Sequence, residues 1–456
     1  MSSTTSVHAA PQGRTAPEQI DNHRLTGHQK SLISMAIVGN VSEFFDMFLI
    51  GFIVNMLSEA PGWNLTGLHS GIILAGAGLG TVLGSIVWGR LADVFGRKHA
   101  FVWCIIVLVV FTAASAFTPV NGWILLAILR TGVGFGVGGL NITSVPFVQE
   151  FVPAKQRGLL AGLTSVFIPA GIFLGGLVTK YFGEALGWRG LIAVGCIPII
   201  LLAWARIIPE SPRFLQSKGR EDEAKAAYAW AMEIPVEQVA DLPPLPEEAS
   251  ASYSVIFTKY PRQLLVVALG SFSFILGSFT VQSWGQTLLG QSFKFQAGTV
   301  ATLFMLVSLG DLLGRLGSAW ISDRIGRRPI LIGSLLGYLV VIHPLYSWLV
   351  SDPGIDRLLT VQLVISVFVA AFFGVVSTVM AELFPANVRS LGMSMAYNLA
   401  VMIFGGFAQF IVTWLIRATG SPMSAAYYVM FGVALGAIAS FMVRERAHDP
   451  HIDHHD

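Results

Sequence analysis

Apolar residues run in stretches of about 20 or more, the length a helix needs to cross a bilayer, and twelve such stretches follow one another along the chain. They cover roughly 31–57, 69–92, 99–118, 121–148, 157–182 and 190–208, then 262–289, 298–321, 329–350, 358–381, 390–415 and 424–443. The pattern predicts an all-α membrane protein of twelve transmembrane helices, arranged as two pseudo-symmetric bundles of six over residues 31–208 and 262–444. Residues 1–30 read as a flexible N-terminal tail with no cleaved leader. The polar stretch 209–261 reads as a partly helical central loop, with a charged helix-forming run from Lys218 to Lys225 and an acidic, proline-rich part from Asp241 to Glu248. The tail 445–456, rich in His and Asp, reads as a solvated end rather than a metal site.

Composition narrows the solvent of these helices. Of 456 residues 54% are hydrophobic and 12% charged, against about 25% charged in soluble domains, which excludes a cytosolic globule. A net charge of +2 gives no pull toward nucleic acid. Cys104 and Cys196 both lie in apolar runs and read as small buried hydrophobes, not as a disulfide or a metal site. No phosphate loop, metal-ligand spacing or nucleophile elbow is present, so neither an enzyme nor a cofactor is expected.

The few charges are placed unevenly. About 21 of the 28 Lys and Arg residues fall on the side of the N-terminus and roughly five on the other, which makes both termini and the central loop cytoplasmic by the positive-inside rule. The expected setting is the inner membrane of a bacterium, with the chain acting as a monomer.

The two halves repeat each other. Gly89-Arg90-Leu91-Ala92-Asp93-Val94-Phe95-Gly96-Arg97-Lys98 stands between spans two and three, and Ser322-Asp323-Arg324-Ile325-Gly326-Arg327-Arg328 between spans eight and nine. A second pair, Glu150-Phe151-Val152-Pro153-Ala154-Lys155-Gln156-Arg157 and Glu382-Leu383-Phe384-Pro385-Ala386-Asn387-Val388-Arg389, follows spans four and ten. Both pairs are about 230 residues apart, as a duplicated six-helix unit requires. A carboxylate at one helix end can face the N-terminus of a helix in the other half. Asp93 is therefore expected near Arg389 at the start of span eleven, and Asp323 near Arg157 at the start of span five, latching the cytoplasmic side. Gly96, Arg97, Gly326 and Arg327 belong to the same latch motif, and Glu150 and Glu382 join the charge network beside Arg157 and Arg389. The plainer alternative is that these residues cap helices and obey the positive-inside rule.

These motifs resemble the major facilitator superfamily over residues 31–444. Pro209-Glu210-Ser211-Pro212-Arg213 is similar to sugar porters and metabolite–proton symporters, and Gly39-Asn40-Val41-Ser42-Glu43-Phe44-Phe45-Asp46 leans toward the latter. The resemblance implies two bundles rocking about a central cavity, and proton coupling by an acid of span one with an arginine of span four, here Asp46 and Arg130.

An ionisable side chain within a span costs about 2.5–3.5 kcal/mol on the mildest scale. Glu43 and Asp46 share one face of span one, and Arg130 heads the glycine-rich run Arg130 to Gly139 in span four. A low dielectric disfavours a charged carboxylate and a nearby guanidinium favours it, so motion that joins or parts them changes proton affinity. Asp46 is the expected proton carrier, Arg130 its modulator, and Glu43 a second acid that shares the proton or lines the cavity. A purely structural ion pair is the alternative. Asp311 and Arg315 are spaced to pair along span eight, and His343 reads as a hydrogen-bonded core histidine.

Candidate cavity residues are Arg130, Thr164, Ser165, Gln282, Trp284, Tyr397 and Asn398. The span-five and span-seven glutamines of sugar porters have no counterpart, which disfavours a hexose. Arg130 offers bidentate capture of a carboxylate. The expected function is proton-coupled uptake of a small organic or aromatic acid. A sugar or polyol symporter and a proton-coupled exporter are alternatives, and a non-transporting sensor is the remaining one.

Overall fold

A computed structural model describes residues 15–153, 168–243, 257–278, 296–383 and 406–443; within these the side chains of a few residues, Asp323 and Glu382 among them, lie outside the description. The first half comprises α1 (Ala16–Asp21), α2 (Gly27–Glu59), α3 (Gly67–Phe95), α4 (Arg97–Ala116), α5 (Trp123–Gln149), α6 (Ile168–Val194) and the short α7 (Ile200–Ala205). The central region adds α8 (Pro212–Ser217) and α9 (Glu221–Met232). The second half holds α10 (Pro261–Ser278), α11 (Ala297–Ile325), α12 (Arg327–Ser351), α13 (Ile355–Glu382), α14 (Gly406–Thr419) and α15 (Met423–Phe441). Every expected span is matched by a described helix, in whole or in part. Spans five and six are joined in α6, which bends sharply at Gly187, where φ is +61°. Leu306, Leu309, Leu313, Leu316 and Trp320 form an exposed stripe along α11 at helical spacing, as a lipid-facing surface must.

Helix–helix contact in lipid depends on close approach, and glycine supplies it. In α5, Gly134 and Gly138 let the backbone touch Ala77 and Thr81 of α3, while Gly76, Gly80 and Gly84 of α3 meet Ala127, Thr131 and Phe135 in return. The opposite side of α5 uses Gly132, Gly136 and Gly139 against Phe111, Cys104 and Leu108 of α4, with Trp88 of α3 also meeting Gly139. In the second half α10 packs on α15, α11 on α13, and α12 on both α13 and α15.

Gly96 and Gly326 are the sharpest expression of the repeat. Each separates two helices, with φ/ψ of 101°/156° and 97°/159°, a region open only to glycine. Each N–H donates to a carbonyl four residues back, Ala92 at 3.1 Å and Ser322 at 3.0 Å. Two identical corners at matching places are what duplication of one unit leaves behind.

The N-terminal tail corrects the sequence reading. Residues from Thr15 onward are not a loose tail but part of a cap built with the central region. Thr15 bridges Asp241, the Ala16 N–H donates to the Asp241 carbonyl, and Gln19 donates to Gln238 and accepts from Ala240. Thr26 donates to the Ala231 carbonyl, His28 stacks on Trp230 at 4.6 Å, and Gln29 donates to Phe151. Ala16, Ile20, Ala227, Tyr228 and Met232 share one buried cluster with Leu32, Phe101 and Phe147 of the bundle. The central region therefore belongs to the first half as far as it is described there.

Among the described residues, close contacts between the halves are found toward the end remote from the glycine corners. Phe52 of α2 meets Phe304 of α11 edge-on at 6.2 Å. A Cβ on Gly176 of α6 would stand 2.8 Å from the Ala301 carbonyl, and one on Gly71 of α3 would stand 3.0 Å from Thr413 Oγ1 of α14. At the corner end Asp93 and Phe95 are exposed.

Candidate functional site

Asp46 and Arg130 meet as the sequence leads one to expect. Arg130 Nη2 lies 2.6 Å from Asp46 Oδ2 and Nη1 3.3 Å from Oδ1, a bidentate pair linking α2 to α5. Their side chains are 2% and 3% exposed. Glu43, one turn along α2, is equally buried. Two features qualify the reading. Both partners belong to the first half, on α2 and α5, so a motion that parts them is one within that half. Arg130 is also enclosed, with both Nη groups given to Asp46, so in this conformation it is no cavity residue.

Two further residues, Gly195 and Thr112, stand close to the pair, and the sequence reading missed both. A Cβ on Gly195, in the turn after α6, would stand 2.9 Å from Asp46 Oδ1 and 3.1 Å from Thr112 Cγ2. Thr112 lies on α4 and is fully buried. A glycine and a threonine in apolar runs carry no mark that distinguishes them from packing residues.

At the corner end the first half builds its own charge network. Arg97 Nε lies 3.0 Å from Glu150 Oε1, and Ser211 Oγ donates to Glu150 Oε2. Glu150 is expected beside Arg157, which lies outside the described residues; its described partner is Arg97, because the corner at Gly96 turns the start of α4 toward the end of α5. Glu210, which the sequence marks only as part of the Pro-Glu-Ser-Pro-Arg motif, accepts from the N–H groups of Lys98 at 2.8 Å and Ser211 at 2.8 Å, and from His99 Nδ1 at 2.9 Å. Its carboxylate sits where the unpaired donors of α4 carry partial positive charge. A side chain at Gly96 would run into it.

In the second half Arg315 donates to Asp311 through Nε at 3.0 Å and Nη2 at 2.8 Å, and its guanidinium stacks 3.8 Å from the Phe373 ring. The pair is expected from its spacing. His343 is a correction: it is exposed on α12 beside Tyr427, not in the core, because that face of α12 points outward. Arg157, Arg389, Thr164, Ser165, Gln282, Trp284, Tyr397 and Asn398 lie outside the described residues, as do the side chains of Asp323 and Glu382. Among the described residues no cluster has the ligands to hold a metal ion.

Nine helices long and apolar enough to cross a membrane among the described residues, in two halves that share the same corner, define a multi-pass membrane protein of the major facilitator fold. The family model "Sugar (and other) transporter" matches residues 32–455, and the chain belongs to that family. The niacin transporter NiaP of Acinetobacter baylyi is 28% identical over 93% of this chain and 95% of its own. The citrate-proton symporter of Salmonella typhi is 26% identical over 89% of this chain and 92% of its own. Among solved structures, the xylose transporter XylE from E. coli in a partially occluded inward-open conformation gives a TM-score of 0.71 at 21% identity, covering 92% of this chain and 99% of that one. The family and these relatives are transporters, not enzymes.

Proposed function

We propose that the chain is a proton-coupled symporter that takes up a small organic or aromatic carboxylate by alternating access, as a monomer in a bacterial inner membrane with the corner end in the cytoplasm. The observation that carries this is the bidentate Asp46–Arg130 pair, buried where an uncompensated charge is costly. Protonation of Asp46 removes the charge that holds Arg130 and frees two Nη groups, which then favour another anion. Glu43 is one such acceptor and a substrate carboxylate another. Nicotinate and citrate, the cargoes named for two relatives, are both carboxylates.

The contacts between halves at the far end fit a molecule open toward the cytoplasm. Closing it would bring Asp93 to Arg389 and Asp323 to Arg157, with Arg327 and Glu382 repeating the Arg97–Glu150 pair; the matching corners at Gly96 and Gly326 support this symmetry. In this reading Asp93 is exposed because the latch is undone.

Proteoliposomes with an imposed pH gradient, offered nicotinate, citrate, benzoate and xylose, test the proposal. Accumulation of a carboxylate that a protonophore collapses is the expected result. Uptake confined to xylose, or indifferent to the gradient, would overturn it. Asp46→Asn should lose uphill accumulation while keeping counterflow exchange.

A further inference from the structure

We propose that Phe44 is the platform on which the ring of the substrate stacks, and that the cargo is an aromatic carboxylate. This rests on the reading of the chain as a carboxylate symporter and narrows it to one class of acid.

A single stripe of α2 lines the opening between the halves. Ser34, Ile37, Val41, Phe44, Phe48 and Phe52 follow one another at steps of three and four residues, so they share one face of the helix. That face looks toward the second half, since Phe52 meets Phe304 of α11 edge-on and Phe48 shares a buried cluster with both. Exposure along the stripe changes in one direction. Phe52 and Phe48 are 0% and 1% exposed, Phe44, Val41 and Ile37 are half-buried, and Ser34 is exposed. The halves therefore part along this stripe, from a closed end at Phe52 to an open one at the glycine corners. Phe44 is the first of its side chains, counted from the closed end, that is not buried, and it stands at the innermost point of the opening.

The wall presented there has a definite chemistry. From Ile37 to Phe48, about 16 Å of helix, the stripe carries only apolar side chains. A sugar pressed on it would strip water from hydroxyls that find no partner. A flat ring with its polar group on one edge loses nothing. The Phe44 ring already stacks on Phe48, with centroids 6.3 Å apart and planes inclined by 23°, within the range of favourable aromatic pairs. Its stem is held by α6, where a Cβ on Gly171 would stand 2.8 Å from Phe44 Cβ. The substrate's ring extends this column by one place at its open end. Phe44 points to the opposite side of α2 from Asp46, two residues on, so a change at Phe44 leaves the Asp46–Arg130 pair in place.

The test compares two acids that differ in the ring alone. The full chain in proteoliposomes is offered benzoate and cyclohexanecarboxylate, alike in size and charge, under the same imposed pH gradient. The wild type should favour benzoate by roughly tenfold in KM. Phe44→Leu should abolish that preference by raising the KM for benzoate with kcat little changed, and Phe44→Tyr should keep it. A second readout needs no transport: the added indole fluorescence of Phe44→Trp should be quenched by nicotinate, an electron-poor ring, and not by cyclohexanecarboxylate. Equal use of both acids by the wild type, a preference that survives in Phe44→Leu, or no quenching in Phe44→Trp would overturn the platform while leaving a carboxylate symporter. Accumulation of no carboxylate at all would end the underlying reading as well.

Discussion

Removing the Glu210 carboxylate would take the partner from the first N–H groups of α4 and from His99 together. Glu210→Ala is expected to lower stability by about 1–2 kcal/mol, the cost of a lost helix cap, read as a lower midpoint of thermal unfolding in detergent. Glu210→Gln should recover part of it by accepting one bond without the charge. An unchanged midpoint in both would show that the cap contributes nothing. Residues at this scale are legible in the sequence only when their type is out of place. Asp46, Arg130, Asp311 and Arg315 stand out because charge in an apolar run must have a reason. Glu210 is visible as part of a motif, yet its use depends on the end of the sixth span returning to the start of the third, and no local pattern states that. Thr112 and Gly195 are silent for the same reason.

Among elements, the α3–α5 pair depends most on what is missing from it. Gly80 and Gly134 each place bare backbone against backbone of the other helix. Alanine at either should force the helices apart and cost about 1–3 kcal/mol, as overpacking does, visible as a lower unfolding midpoint and poorer yield of monodisperse protein. Gly333, whose Cβ would meet nothing within 4 Å, is the control and should tolerate alanine. If Gly80→Ala and Gly333→Ala behaved alike, close packing would not be what these glycines provide. Helix existence is read well from apolar length, since lipid leaves the backbone few other choices. The union of spans five and six is not, because a single glycine at 187 turns the chain where a loop was expected.

For the whole molecule, the contact between α3 and α14 offers a lock. A Cβ on Gly71 would lie 3.3 Å from Thr413 Cβ, near the range a disulfide spans, about 3.5–4.5 Å. With Cys104 and Cys196 replaced by alanine, Gly71→Cys with Thr413→Cys should crosslink on oxidation and stop transport, and reduction should restore it. Transport at the uncrosslinked rate with complete disulfide formation would show that the halves need not part there. The duplicated architecture is legible in the spacing of the two corner motifs. The cap is not, because Ala16 and Ile20 are too few apolar residues to announce a docked helix.

That cap has a bearing on how the protein comes to be made. Gln19 finds its partner 219 residues further along, so its segment must wait until the first six spans and α9 have followed it. Residues 15–20 thereby act as a seal set late on a finished half, and a fragment ending before Val236 would lack Gln238, Ala240 and Asp241, which Thr15, Ala16 and Gln19 bind.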